Sequence, residues 1–169
     1  MKTVFNIVLF LCAAGLAYVC YDSIRGPAGF RQKKEAREKA VAARLADIRK
    51  AQQAYCGQHN GRYAASFDTL IAFVKAARPA SLQGFDADSL RFIPFGGNRQ
   101  FEMTTRYVPT TAGDSCCLLE VKAPCDAYLH GLDRREIARL KASRTEEGKY
   151  CGLSIGSLET GNDNVGSME

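Results

Sequence analysis

At 169 residues, with 46% apolar and 24% charged side chains, the chain is long enough for one folded domain and too apolar to stay disordered. Its net charge of +5 is modest and uneven. Arg31, Lys33, Lys34, Arg37, Lys39, Arg44, Arg49 and Lys50, set against Glu35, Glu38 and Asp47, supply the whole excess, which says more about where that segment sits, beside a membrane or an acidic partner, than about the fold.

The first element is apolar. Residues 4–21 read VFNIVLFLCAAGLAYVCY, with Asn6 the only strongly polar side chain. Eighteen helical residues cover about 27 Å, close to the hydrocarbon thickness of a thin bilayer. Tyr18 and Tyr21 fall near one end, where amphipathic rings favour the interface. The run is longer than a signal-peptide core, and no small-residue cleavage pattern follows it. Residues 1–22 are therefore expected to form an uncleaved, single-pass transmembrane anchor. Basic residues after the run outnumber Lys2 before it, which by the positive-inside rule puts the remainder in the cytoplasm; the short basic prefix reads instead as an export signal. Charge alone leaves the orientation open.

Next come Gly26, Pro27 and Gly29, expected to break the helix and make a hinge over residues 23–30. A soluble head is expected over 31–160 and a flexible tail over 161–169. Within the head, Arg31 to Tyr55 is rich in strong helix formers, and Val41, Leu45, Ile48, Gln52 and Tyr55 repeat at spacings of four and three. Gly57 to Gly61 ends that helix. Ser66 caps a second one, Phe67 to Ala77, with Leu70, Ile71, Phe73 and Val74 turned inward and Pro79 as its stop. Strands are predicted at Leu90–Pro94 and Gln100–Val108, joined through Gly96 and Gly97 as a hairpin, and at Cys116–Lys122. A charged helix, Leu132 to Thr145, opens at Asp133 with Ile137 and Leu140 on its inner face; a last short strand lies within Gly152–Leu158. Helices first and a meander of strands later makes the fold class α+β, with a long amphipathic helix packed on a small antiparallel sheet.

No set of residues amounts to a catalytic, cofactor or metal site. Cys56, Cys116, Cys117, Cys125 and Cys151 form no C-x-x-C pair, and neither His59 nor His130 stands at a zinc-finger spacing. Adjacent strand residues Cys116 and Cys117 face opposite ways, one inward and one outward. If the head is exported, one disulfide is expected, and the odd count leaves a thiol over. An enzyme would need a pocket joining Cys117 or Cys125 to His130. The basic helix suits a solvated face or attraction to anionic lipid better than nucleic acid, because no aromatic residues interleave its charges.

The stretch ARLADIRKAQQAY at 43–55, followed by NGRY at 60–63 and SFDTL at 66–70, resembles the type IV pilins and pseudopilins. In those families a membrane helix continues into a helix of this flavour, which leads into an Asn-Gly-x-Tyr turn and carries a small antiparallel sheet. The chain differs in having no basic leader ending in Gly before Phe-Thr-Leu-x-Glu. REKA at 37–40, DADSLR at 86–91 and YLHGL at 128–132 also resemble bacterial single-pass envelope proteins to which no activity is assigned. The resemblance implies a non-enzymatic protein of the inner membrane with a periplasmic head, whose partners are other envelope proteins or copies of itself. Val41, Leu45, Ile48 and Tyr55 then pack on the sheet or on a partner helix. The alternative is a cytoplasm-facing adaptor whose basic helix binds anionic lipid.

Overall fold

The computed structural model describes residues 2–77, 86–109 and 115–158, with side chains described at 5–21, 29–77, 86–108 and 117–158. The predicted tail at 161–169 and the Pro79 stop lie outside the described residues. The chain divides into two compact units, Met1–Glu35 and Ala36–Glu169.

Helix α1 runs from Lys2 to Gln58. It continues through Gly26, Pro27 and Gly29, so the helix break predicted there, with its hinge over 23–30, is not found; the side chains of 22–28 lie outside the described residues. One proline removes a single i→i−4 bond and crowds one carbonyl, and good helix formers follow it for about seven turns. In the first unit the described side chains from Phe5 to Tyr21 are all exposed. Among the described residues no helix is long and apolar enough to cross a membrane. The positions from Phe5 to Tyr21 cover about 25 Å, against a hydrocarbon core of about 30 Å, and Val4, which opens the predicted span, has no described side chain.

The second unit is α+β, with helices packed on a three-stranded antiparallel sheet of order β1-β2-β3. Here β1 is Glu102–Pro109, β2 is Ser115–Pro124 and β3 is Gly152–Gly156. Thr105 lies opposite Leu119 and Val121 opposite Ile155. Along β2 the alternate residues Cys117, Leu119, Val121 and Ala123 are buried, as expected for one face turned to the core. The predicted stripe of α1 goes inward: Val41, Leu45, Ile48 and Gln52 are fully buried and Tyr55 is half-buried. Burying the three aliphatic side chains contributes roughly 1.5–3 kcal/mol each.

Helix α1 stops where Asn60 and Gly61 take positive φ values of 52° and 78°, and the Gly61 N–H returns to the Cys56 carbonyl at 3.1 Å. Helix α2, Phe67–Ala77, begins at the predicted cap: Ser66 Oγ accepts from the Thr69 N–H at 3.2 Å. Leu70, Ile71 and Val74 are buried and Phe73 is half-buried. The first strand of the predicted hairpin is absent. Asp86 caps a 3-10 turn at Ala87–Arg91 instead, leaving one bridge between Phe92 and Gln100. The Asp86 carboxylate accepts from the Asp88 N–H, a local bond that competes with a strand ladder.

Two more helices follow β2. The short α3, Cys125–Tyr128, was not foreseen; α4, Arg134–Glu146, is capped by Asp133, whose Oδ1 accepts from the Arg135 N–H at 2.8 Å. Ile137 and Leu140 of α4 are half-buried. Strand β3 then pairs with β2 so closely that a Cβ on Gly152 would collide with the Ala123 carbonyl and the Tyr150 ring.

Candidate functional site

The richest set of specific contacts lies along the seam between α1 and the rest of the second unit. Arg37, on the first turns of α1 within that unit, donates from Nη1 to the carbonyl oxygens of Tyr128 at 2.9 Å and His130 at 2.8 Å. These are orphan carbonyls at the end of α3, where a cation is favoured. The Arg37 guanidinium also lies 5.1 Å from the centroid of the Phe95 ring. Phe95 holds a positive φ of 62° in the turn after Pro94. Two turns of α1 on from Arg37, Arg44 donates to the Ser89 carbonyl, and next to Arg37 in the chain Glu38 Oε1 accepts from the Tyr128 hydroxyl at 3.2 Å. Burial first, and then the Glu38 carboxylate, push the Tyr128 hydroxyl well above the ordinary phenol range.

Further along α1, Gln52 is a fully buried polar residue. Its amide spans the chain after the turn, donating to the Ala64 carbonyl at 3.0 Å and accepting from the Ala64 N–H at 2.9 Å. It also reaches Met103 Sδ at 3.1 Å. The turn that carries the Asn60-Gly61 pair is thereby tied to the helix it ends. Beyond it, Tyr55 and His59 stack at 3.8 Å with Phe73 edge-on to both, and His59 Nδ1 lies 2.9 Å from the Tyr55 carbonyl.

The cysteines separate into distinct environments. Cys125 and Cys151 form a disulfide with Cα atoms 5.5 Å apart. Cys117 is buried, matching an inward position on β2, and Cys56 is half-buried near the end of α1. The side chain of Cys116 lies outside the described residues. Of the residues that such a pocket would have joined, Cys125 is bridged, Cys117 is buried and His130 is exposed. Among the described residues no cluster of His, Cys, Asp or Glu could hold a metal ion.

Surface depressions among the described residues include two next to this region. A cleft of about 160 Å³ beside β3 is lined by Arg49, Gln53, Tyr63, Leu119 and Ile155. A shallower hollow of about 410 Å³ lies where Asp68 and Lys75 of α2 pair with Arg91 and Asp88 of the 3-10 turn, over Phe92. Neither brings a nucleophile to a general base. The Arg37, Arg44 and Gln52 contacts tie α1 to the end of α3, to the 3-10 turn and to the chain after the Asn60-Gly61 turn. Compared with known proteins, the chain matches no family model, no curated sequence and no solved structure.

Proposed function

We propose that this chain is a single-pass membrane protein of the cell envelope, with a pilin-like, non-enzymatic head that acts in protein assembly or scaffolding. The observation that carries the reading is the state of the first helical segment. Ten large apolar side chains, among them Phe5, Leu9, Phe10, Leu11, Leu16 and Val19, are 53–75% exposed on every side of the helix. Water solvates such a surface at a cost on the order of 15 kcal/mol relative to burial, so a helix apolar all round is covered by lipid or by protein. The same helix later buries its Val41-Leu45-Ile48-Gln52 stripe against a small antiparallel sheet, which is the layout that the resemblance to pilins implies. A Cys125–Cys151 disulfide supports placing the head in an oxidising compartment, on the periplasmic side of the inner membrane.

The alternative, a cytoplasmic adaptor laying its basic helix on anionic lipid, has less to stand on. Arg37 and Arg44 are turned to carbonyls of the head, and Lys50 pairs with Asp47 at 3.7 Å.

Topology tests the reading. Alkaline phosphatase fused after Glu169 is expected to be active in a bacterial host, and the protein is expected to stay in the membrane pellet after alkaline carbonate washing. Deleting residues 1–22 should release it. An inactive phosphatase paired with a bright fluorescent fusion, or loss from the pellet on washing, would sink the proposal.

A further inference from the structure

Gln52 of α1 reaches Met103 on β1 and shares the cleft beside β3 with Leu119 of β2, so this turn of the helix lies over the inner face of the sheet. One turn on, on the same side of the helix, is Cys56. Two residues back from Leu119 along β2, on the same buried face, is Cys117, which lies opposite Tyr107 of β1. A step of one helical turn, about 5.4 Å, matches a step of two strand residues, about 6.8 Å. Arg37 meets the Tyr128 carbonyl just past β2 while Gln52 meets Leu119, so α1 runs counter to β2, and the step from Gln52 to Cys56 goes the same way as the step from Leu119 back to Cys117.

We propose that Cys56 and Cys117 form a second disulfide site, held here as two thiols, which closes on oxidation and staples the end of α1 to the centre of the sheet. Electrostatics agree with the placement: burial first, and then the neighbouring Cys117, push the Cys56 thiol up from its ordinary value. Cys125 and Cys151 already hold each other. Cys56 is half-buried, so an oxidant reaches it first. Its thiolate attacks one sulfur of a disulfide donor, an oxidoreductase disulfide or oxidised glutathione, and releases one donor thiol. Cys117, deprotonated, then displaces the second donor sulfur. Two thiols become one disulfide and the donor leaves as two thiols, having taken both electrons and both protons. Because attack needs the thiolate, a raised Cys56 slows closure at neutral pH and lets it quicken as pH rises.

The staple is independent of which side of the membrane the head occupies, since an added donor supplies the oxidant. The test uses the full chain in detergent, exposed to oxidised glutathione at pH 7 and pH 9, then alkylated and mapped by mass spectrometry. The expected result is a peptide linking Cys56 to Cys117, formed faster at pH 9, and a melting temperature raised by about 5 °C or more over the reduced protein. C56S and C117S should each abolish the linked peptide while leaving the Cys125–Cys151 link in place. A bridge from Cys56 to Cys116, no bridge at all from Cys56, or a bridged protein that melts lower than the reduced one would each overturn the proposal. Phosphatase fusions report on topology separately, so failure of the staple leaves the membrane reading standing.

Discussion

Gln52 sits in the apolar stripe of α1 with none of its surface exposed, and both ends of its amide are used on the Ala64 backbone. Replacing it by Ala leaves a buried N–H and a buried carbonyl without partners, each costing about 1–3 kcal/mol, and opens a cavity besides. Q52A is expected to lower stability by roughly 2–4 kcal/mol in urea unfolding monitored by circular dichroism. Q52L, which fills the volume but strands the same two groups, should recover only part of that loss. A Q52A protein as stable as the parent would mean that water substitutes for the amide. From sequence, Gln52 was legible as a member of the stripe by its spacing. Its partner was not, because a contact to the backbone of Ala64 depends on where the turn at Asn60 and Gly61 sends the chain.

At the scale of elements, the seam between α1 and α3 contains a phenol held neutral by its surroundings. Tyr128 is buried and donates to Glu38 across that seam, and both the burial and the carboxylate disfavour its ionisation. Tyr150, beside β3, is pushed up to about 12, by burial first and then by Glu102, Asp126 and Glu120. A group whose folded value lies above its unfolded value contributes stability that is whole below the unfolded value, near pH 10 for a phenol. That stability is lost as pH rises through the folded value. The protein is therefore expected to lose stability progressively from about pH 10 upward, measured as urea midpoint against pH. Y128F should flatten this alkaline limb, at a neutral-pH cost of about 1 kcal/mol for the missing bond to Glu38. An alkaline limb unchanged in Y128F would show that this hydroxyl does not control it.

The same scale shows why some elements could be read in the chain and others could not. The stripe of α1, the Ser66 and Asp133 caps, β2 and the end of α1 are each set by local spacing or by a side chain bonding its own neighbourhood. Leu90–Pro94 has the apolar content of a strand, but Asp86 caps a tight turn just ahead of it and consumes those residues first. Helix α3 is four residues long, too short for any periodicity to reveal it, and it exists where Arg37 gathers its terminal carbonyls. Gly26 and Pro27 are breakers by composition, yet α1 continues through them.

For the whole molecule, one covalent link ties the last strand to the body. The Cys125–Cys151 disulfide spans 26 residues, enclosing α3 and α4. Closing a loop of that size contributes about 3–4 kcal/mol in the chain-entropy account, and measured values are frequently lower. Reducing the protein, or replacing both cysteines in a C125S/C151S variant, is expected to lower stability by about 2–4 kcal/mol. Calorimetry with and without reductant measures it, and equal melting curves would remove this link from the account of stability. No reasoning from the chain alone selects 125 with 151 among five cysteines. The pairing follows from strand register, Pro124 against Gly152, which only the folded sheet defines.

Gly152 gives that register a further meaning. The Cys125 N–H donates to the Cys151 carbonyl at 2.9 Å, and the very next residue must approach the Ala123 carbonyl with no side chain in the way. The pairing of β3 with β2 is what holds the two sulfurs at bonding distance. The bond then acts as a receipt for finished folding: in an oxidising compartment, a molecule with Cys125 and Cys151 still open is one whose last strand has not arrived.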